Sequence, residues 1–267
     1  MRSTSAASAP GWDGRLAIGP GAALYRGPGG DAEWHAHYAI QVVAALDGHF
    51  ELDLGDGAAS ATATAAIIPS GARHRLRCRS ERLALLLVDP CGPRGRSLSA
   101  LALAQDDAAR AALGRCSTLL ADAAAPASLA ATLAALRAEG DLERAPRPLS
   151  PPVRRALAYL ERRAASGPRL GEAADAAGIS PSHLTHRFTA EVGIPFRRYG
   201  LWTKLRRAAS AVADGRSLTD AASEAGFSDS AHLARTFRAN FGLPPSALLA
   251  MVVERDAWPE PTPTPSS

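Results

Sequence analysis

Four side chains in the first third of the chain have the types of a ligand site: His35, His37, Gln41 and His74. Successive side chains of a β-strand alternate between its faces, so His35 and His37, two apart, point to one side, as a site inside a barrel requires. With His74 supplied from a facing strand they offer three imidazole nitrogens, and Gln41 adds an amide oxygen. That donor set suits a divalent first-row ion such as zinc, nickel or iron. The same histidines can instead hydrogen-bond an organic effector, or serve as packing. Trp34, Tyr38 and His49 stand near them in sequence and are candidates to line the same pocket.

A second set of residues lies in the last third, where the chain repeats itself. Ala173-Ala174-Asp175-Ala176-Ala177-Gly178-Ile179-Ser180 returns 48 residues later as Ala221-Ala222-Ser223-Glu224-Ala225-Gly226-Phe227-Ser228. His183-Leu184, Phe188, Gly193 and Pro195 return 49 residues later as His232-Leu233, Phe237, Gly242 and Pro244. Each copy reads as a helix, a glycine turn, a serine cap and a second helix, which is the helix-turn-helix arrangement. The glycines at 178 and 226 suit a positive φ, and Ser180 and Ser228 can cap the following helix. Leu184 and Phe188, like Leu233 and Phe237, are four apart and face a core. Ser182, His183, Thr185, His186 and Arg187 then face outward in the first copy, and Ser230, Ala231, His232, Arg235, Thr236 and Arg238 in the second. Short polar and Arg side chains in that arrangement reach base edges and phosphates.

Residues 195–215 between the copies predict one helix of about 18 residues, about 27 Å long at 1.5 Å per residue. That approaches the pitch of B-DNA, about 34–36 Å, so a rigid connector can hold two recognition helices in successive major grooves. Arg197 and Arg207 on it are candidates for phosphate contacts.

Charge supports a polyanion partner. The chain carries a net +4, yet residues 151–255 hold 15 Arg/Lys against 9 Asp/Glu, leaving the remainder slightly acidic. Lys204 is the single lysine; so Arg-rich and Ala-rich a sequence also reflects base composition. A length of 267 residues suits two domains, and 46% hydrophobic with 21% charged residues is globular composition. Three cysteines exclude a disulfide scaffold and suit a reducing compartment. The best apolar run, Leu83–Val88, is strand-sized, and the first 16 residues lack the apolar core of a secretion signal. The expectation is a cytoplasmic protein without a membrane span.

The elements that must position these residues fall into regimes. Residues 15–90 contain short β-like runs (AALYRG, YAIQVVAAL, HFELDL, ATATAAIIP, RLALLLVD) between Gly and Pro turns, the pattern of an antiparallel barrel or sandwich. Residues 97–139 are Ala/Leu-rich at helical spacing, and Leu98, Leu101, Leu119 and Leu120 can cover the barrel or pair a homodimer. Prolines at 146, 148, 151 and 152 predict an extended linker. The expected fold is therefore α+β in two domains, an antiparallel β-barrel followed by an all-α double helix-turn-helix. Its boundaries are 1–95 for the sensing barrel, 96–140 for a helical packing or dimerisation region, 141–152 for the linker, 153–255 for the DNA-binding domain and 256–267 for a disordered tail.

Residues from about 153 to 250 resemble the DNA-binding domain of the AraC/XylS family of transcription regulators, most densely in LTDAASEAGFSDSAHLARTFRANFGLPPSAL at 218–248. The resemblance implies that Ser182, Thr185 and His186 in the first recognition helix, and Ser230, His232 and Arg235 in the second, point at bases. His186 stands where a basic Arg is common, and Ala231 is too short to hydrogen-bond, so readout leans on the second helix. Gly29-x5-His35-x-His37-x3-Gln41-x6-Gly48, followed by Pro69-Ser70-Gly71-x2-His74, resembles the two cupin motifs over about residues 15–90. Gln41 replaces the usual Glu, Ala63 a usual Gly and Cys78 an expected Asn. Together the resemblances imply a cupin-like sensor controlling a sequence-specific activator or repressor. Its implied partners are promoter DNA, a small-molecule or metal effector, a second copy of the chain and, for an activator, RNA polymerase. The rival is a metal-dependent cupin enzyme, an oxygenase or isomerase; the attached DNA-binding module and the missing carboxylate argue against it.

Overall fold

The computed structural model describes residues 11–19, 21–55, 60–92 and 148–255, with isolated helical positions between 95 and 120. Most of the 96–140 region, residues 141–147 of the expected linker and the 256–267 tail lie outside the described residues.

The front of the chain forms β1 (Arg15–Gly19), β2 (Ala22–Gly27), β3 (Asp31–His35), β4 (Ile40–Ala45), β5 (Phe50–Leu54), β6 (Ala61–Ala63), β7 (Ala65–Ile68), β8 (His74–Cys78) and β9 (Leu83–Val88). A last strand, β10 (Val252–Arg255), comes from the end of the described chain. One sheet runs β10-β1-β2-β9-β4-β7 and the other β3-β8-β5-β6. The sheets stack as an open sandwich over Val43, Ile68 and Leu83 from one and Ala32, Phe50, Leu52 and Leu76 from the other. They do not close into one continuous barrel. Every pairing is antiparallel except β1 with β10, which is parallel. The expected DNA-binding segment 153–255 thus ends in a strand that belongs to the N-terminal sheet.

The large sheet is apolar on both faces because both are covered, which is why β4 and β9 read as nearly continuous apolar runs. Ala84, Leu86 and Val88 of β9 and Ile40, Val42 and Ala44 of β4 share one face with Leu24, and Leu98 and Leu120 pack against it. Those two leucines cover their own sandwich. Leu101 and Leu119 lie outside the described residues.

The C-terminal domain contains α1 (Pro151–Arg163), α2 (Leu170–Ala177), α3 (Pro181–Val192), α4 (Phe196–Ala213), α5 (Leu218–Glu224) and α6 (Ser230–Phe241), with 3-10 turns at Ala164–Ser166 and Pro245–Ala250. Pro151 and Pro152, expected in the linker, open α1 instead. Proline fits a first helical turn, where its missing N–H has no partner to lose and its φ is already helical. The connector α4 has the predicted 18 residues. Among the described residues no helix is long and apolar enough to cross a membrane.

The two domains pack directly against each other. Tyr38 and Ala39 of the sandwich join the core of the first helix-turn-helix, with Phe188, Tyr199 and Trp202. Asp89, at the end of β9, accepts hydrogen bonds from Trp202 Nε1 at 3.3 Å and Arg206 Nη1 at 3.1 Å, both on α4. Arg206 also reaches Glu161 of α1 at 3.2 Å. Phe188 is fully buried beneath α3, so Phe188→Ala is expected to destabilise the C-terminal domain by about 3–5 kcal/mol. Urea unfolding followed by helical circular dichroism checks this, with exposed Thr189→Ala expected to remain within about 0.5 kcal/mol of the parent.

Candidate nucleic-acid interface and histidine site

The two copies of the repeat fold as the spacing predicts. Gly178 and Gly226 take φ values of 71° and 78°, each turning the chain between two helices. At Gly226 the backbone of Ala165 comes so close that a Cβ has no room. Ser180 caps α3, accepting from His183 N at 3.3 Å. The second copy departs from expectation, because Asp229 and not Ser228 caps α6. Asp229 Oδ1 accepts from His232 N at 2.6 Å, while the Ser228 hydroxyl donates to Asp229 Oδ2 at 3.0 Å. The cause is the extra residue at this turn, which moves the first helical position to Ser230. The carboxylate also suits the positive end of the helix dipole, and these bonds hold its pKa below the usual range.

Leu184, Phe188, Leu233 and Phe237 are buried, and the opposite faces of α3 and α6 are open. Ser182, Thr185 and His186 are exposed on α3, and His232, Arg235 and Arg238 on α6, with Ser230 and Thr236 half-buried. Several of these groups already have partners. Thr185 Oγ1 donates to Pro181 O at 2.9 Å, leaving its oxygen to accept. Arg187 is half-buried and pairs with Glu191 at 3.7 Å. His232 stacks edge-on against Phe227, with its Nδ1 3.1 Å from Ser228 Oγ, so its ring has a fixed direction. Arg197 is exposed at the start of α4, whereas Arg207 borders a cavity between the domains.

The histidines also converge, by a different route from simple alternation. The β3–β8 register slips between Ala32 and His35, a bulge that turns both side chains inward and pairs His35 with His74. Trp34 is thereby sent outward, where Arg73 and Arg75 lie over its ring at 5.1 and 5.2 Å. The strand ends at His35, and His37 enters the site from the following turn. His35, His37 and His74 each place a ring nitrogen within 4.8 Å of the others. All three and Gln41 are at most 5% exposed.

Each imidazole is oriented through Nδ1. His35 faces Glu33 O at 2.6 Å, His37 faces Ala39 O at 2.9 Å and His74 faces Ala72 O at 2.9 Å. A carbonyl can only accept, so Nδ1 carries the proton and Nε2 keeps its lone pair. His37 Nε2 lies 3.0 Å from Gln41 Oε1, and buried His74 Nε2 has no hydrogen-bond partner. Burial pushes the His35 pKa down to about 3 and that of His74 to about 4, and lowers His37 as well. Imidazoles tied by Nδ1 to carbonyls, with His74 Nε2 lacking a hydrogen-bond partner, fit the way histidines ligate a divalent ion.

Beside this cluster lies a cavity of about 640 Å³ between the large sheet and the DNA-binding domain. Leu16, Ile18, Tyr25, Leu85 and Leu87 wall one side, and Trp202, Arg206, Phe237, Phe241 and Leu248 the other. Of the sequence candidates, His35, His37 and Gln41 reach it. Trp34, Tyr38 and His49 do not. Tyr38 is committed to the domain interface, and His49 is exposed on the turn before β5. Trp12 and Tyr25 line the cavity and carry no motif that singled them out.

Residues 173–251 match a family model described as a helix-turn-helix domain. The whole fold is similar to that of ToxT from Vibrio cholerae O395, at a TM-score of 0.55 and 11% identity, covering 87% of this chain and 99% of that one. The chain carries a helix-turn-helix domain over residues 173–251. An apo ToxT variant from strain SCE256 superposes at a TM-score of 0.59 with 11% identity, over 87% of this chain and 98% of the other. ToxT from that strain bound to an unsaturated fatty acid gives 0.54 with 12% identity, over 86% and 94%. At such identities the likeness is one of fold. No curated protein matches the sequence.

In this helix-turn-helix domain the cap correction is directly testable. Asp229→Ala is expected to lower the melting temperature by removing the cap, whereas Ser228→Ala leaves the cap in place and frees the His232 ring, with the smaller effect on melting. Differential scanning calorimetry and the His232 ring resonances distinguish the two.

Proposed function

We propose that the regulator binds promoter DNA through the exposed faces of α3 and α6 and responds to an effector held between its two domains. The repeated helix-turn-helix carries this reading: two capped recognition helices with open polar faces, joined by one 18-residue helix. The net positive charge of residues 151–255 adds a sequence-independent attraction to phosphate. Arg235 and His232 are the base-reading candidates of α6, and Ser182, Thr185 and His186 those of α3. Arg187, Arg197 and Arg238 serve as backbone contacts, and Arg207 divides its reach between DNA and the cavity edge.

We read the sandwich as a sensor and not as an enzyme. Gln41 stands among the donors without a carboxylate, and the cavity opens onto the DNA-binding domain. The wall is mostly apolar, with Arg206 held by Asp89 and Glu161 and with Arg207, Asp214 and Glu224 at the border, so it suits a small molecule with an apolar body whose anionic group meets Arg207. The fatty acid bound in one ToxT structure is a molecule of that chemistry. The remaining partners of the reading are a second copy of the chain, paired through the 96–140 region, and RNA polymerase if the protein activates. The reading places it in the cytoplasm, with access to promoter DNA.

DNA selected from a random pool on the purified protein provides the test. Binding is expected to weaken steeply with salt, as counterion release requires. Arg235→Ala is expected to cost about 1–3 kcal/mol and relax preference at one base position. Arg197→Ala is expected to weaken all sequences alike and flatten the salt dependence. Recovery of no sequence above background at low salt would overturn the reading.

A further inference from the structure

We propose that the Ser228–Asp229 pair fixes the tautomer of His232, so that α6 presents a bare Nε2 lone pair to the major groove and reads an exocyclic amine there, adenine N6 or cytosine N4. The inference rests on the DNA-binding reading and deepens it. It names the hydrogen-bond polarity of one base contact and the two positioning residues behind it.

The hydrogen bonds around the ring have one consistent direction. Asp229 Oδ1 accepts from the His232 amide at 2.6 Å, and Oδ2 lies 3.0 Å from Ser228 Oγ. These two bonds hold the Asp229 carboxyl below the usual carboxylate range, so it is ionised and can only accept. The single proton of the Ser228 hydroxyl therefore goes to Oδ2. Ser228 Oγ also lies 3.1 Å from His232 Nδ1. With its proton already given, the hydroxyl accepts at that contact and Nδ1 carries a hydrogen. In a neutral imidazole the other nitrogen, Nε2, is then an acceptor.

The ring is also aimed. It stands edge-on to Phe227, with centroids 5.3 Å apart and planes at 83°. Phe227 is itself buried, and Lys204 Nζ lies over its ring at 6.0 Å while donating to the Gly226 carbonyl at 2.7 Å. His232 is exposed in the first turn of α6, the part of a recognition helix that meets base edges. Its Nε2 makes no hydrogen bond among the described residues. In the major groove the donors are adenine N6 and cytosine N4, and every base pair carries one of them. A ring with the opposite tautomer has a donor at Nε2 and gains nothing from that amine.

The first repeat lacks the device. There Ser180 is itself the cap and Ile179 stands where the second copy has Phe227. The ring of the equivalent His183 has no hydrogen bond among the described residues. The residue added at the second turn takes over the cap and leaves Ser228 to hold the ring.

The test uses the full chain and DNA selected on it from a random pool. Nitrogen-15 shifts of the free protein, at about pH 8 where an ordinary imidazole is neutral, are expected to show His232 in the Nδ1–H form. His183 is expected in the Nε2–H form that a free side chain favours. Ser228→Ala and Asp229→Asn both keep a cap, because Asn accepts from the His232 amide as Asp does. Both are expected to return His232 towards the Nε2–H form. The first removes the acceptor; the second turns an amide donor towards Ser228 and releases its hydroxyl proton to Nδ1. Comparison of the pools selected by wild type and His232→Ala marks the base pair that the ring reads. Replacing the adenine or cytosine of that pair by an analogue without the exocyclic amine is expected to cost the wild type about fivefold more affinity than it costs either variant. The loss to base pairing is common to all three proteins and cancels. His232 in the Nε2–H form in the wild type would overturn the relay. Equal sensitivity of wild type and variants to the amine would overturn the readout, as would a His232→Ala pool unchanged at every position. Recovery of no sequence above background would overturn the DNA-binding reading, while the imidazole shifts of the free protein would still decide the relay.

Discussion

Asp89 is a buried carboxylate, 7% exposed, and its side-chain partners come from the other domain. Trp202 and Arg206 of α4 donate to one oxygen, and the Cys91 amide donates to the other at 2.9 Å. A buried charge left unpaired costs several kcal/mol, about 3–5 when a partner is removed. The sandwich is thus tied to the helix that joins the two helix-turn-helix units. The cavity, the position of α6 over the histidines and the parallel β1–β10 pairing all presuppose that attachment.

Each domain supplies half of what the other lacks. The large sheet presents Leu16, Ile18, Leu85 and Leu87 on the same face as Val43 and Leu83, and beside the small sheet α4, α6 and the turn after α6 close over it. Tyr38 shows how firmly the junction is packed. Its ring stacks edge-on against Tyr199 and Trp202, and its hydroxyl lies between the Val192 carbonyl and Cys91 Sγ. Burial raises the pKa of this tyrosine far above the usual range and that of Cys91 to about 12, so both groups are neutral and act as hydrogen-bonding links.

The histidine cluster and the recognition helices share one property. In both, a side chain is directed by a single hydrogen bond to a neighbour, and that bond depends on local register. His35 faces inward because β3 slips by one residue, and His232 is held against Phe227 because the second turn is one residue longer than the first. One extra residue in each case decides which way the side chain points.

Much was legible from the sequence alone. The repeat specified four core positions and two glycine turns, because helical period and the steric demand of a positive φ act over a few residues. Three histidines and Gln41 were identifiable as one site by type and spacing. Trp34 was misplaced, Ser228 was taken for the cap, and Pro151 and Pro152 were assigned to the linker, since bulges and helix starts depend on pairing partners or on one inserted residue. Tyr38 was expected in the pocket, and its role at the interface depends on α3, more than 150 residues away. The cavity, the Asp89–Arg206 tie and the hydrogen bonds from Glu33 and Tyr38 to the ends of α6 and α3 were decided only by the tertiary structure. They are made of contacts between segments far apart in sequence, for which no local pattern exists to be read.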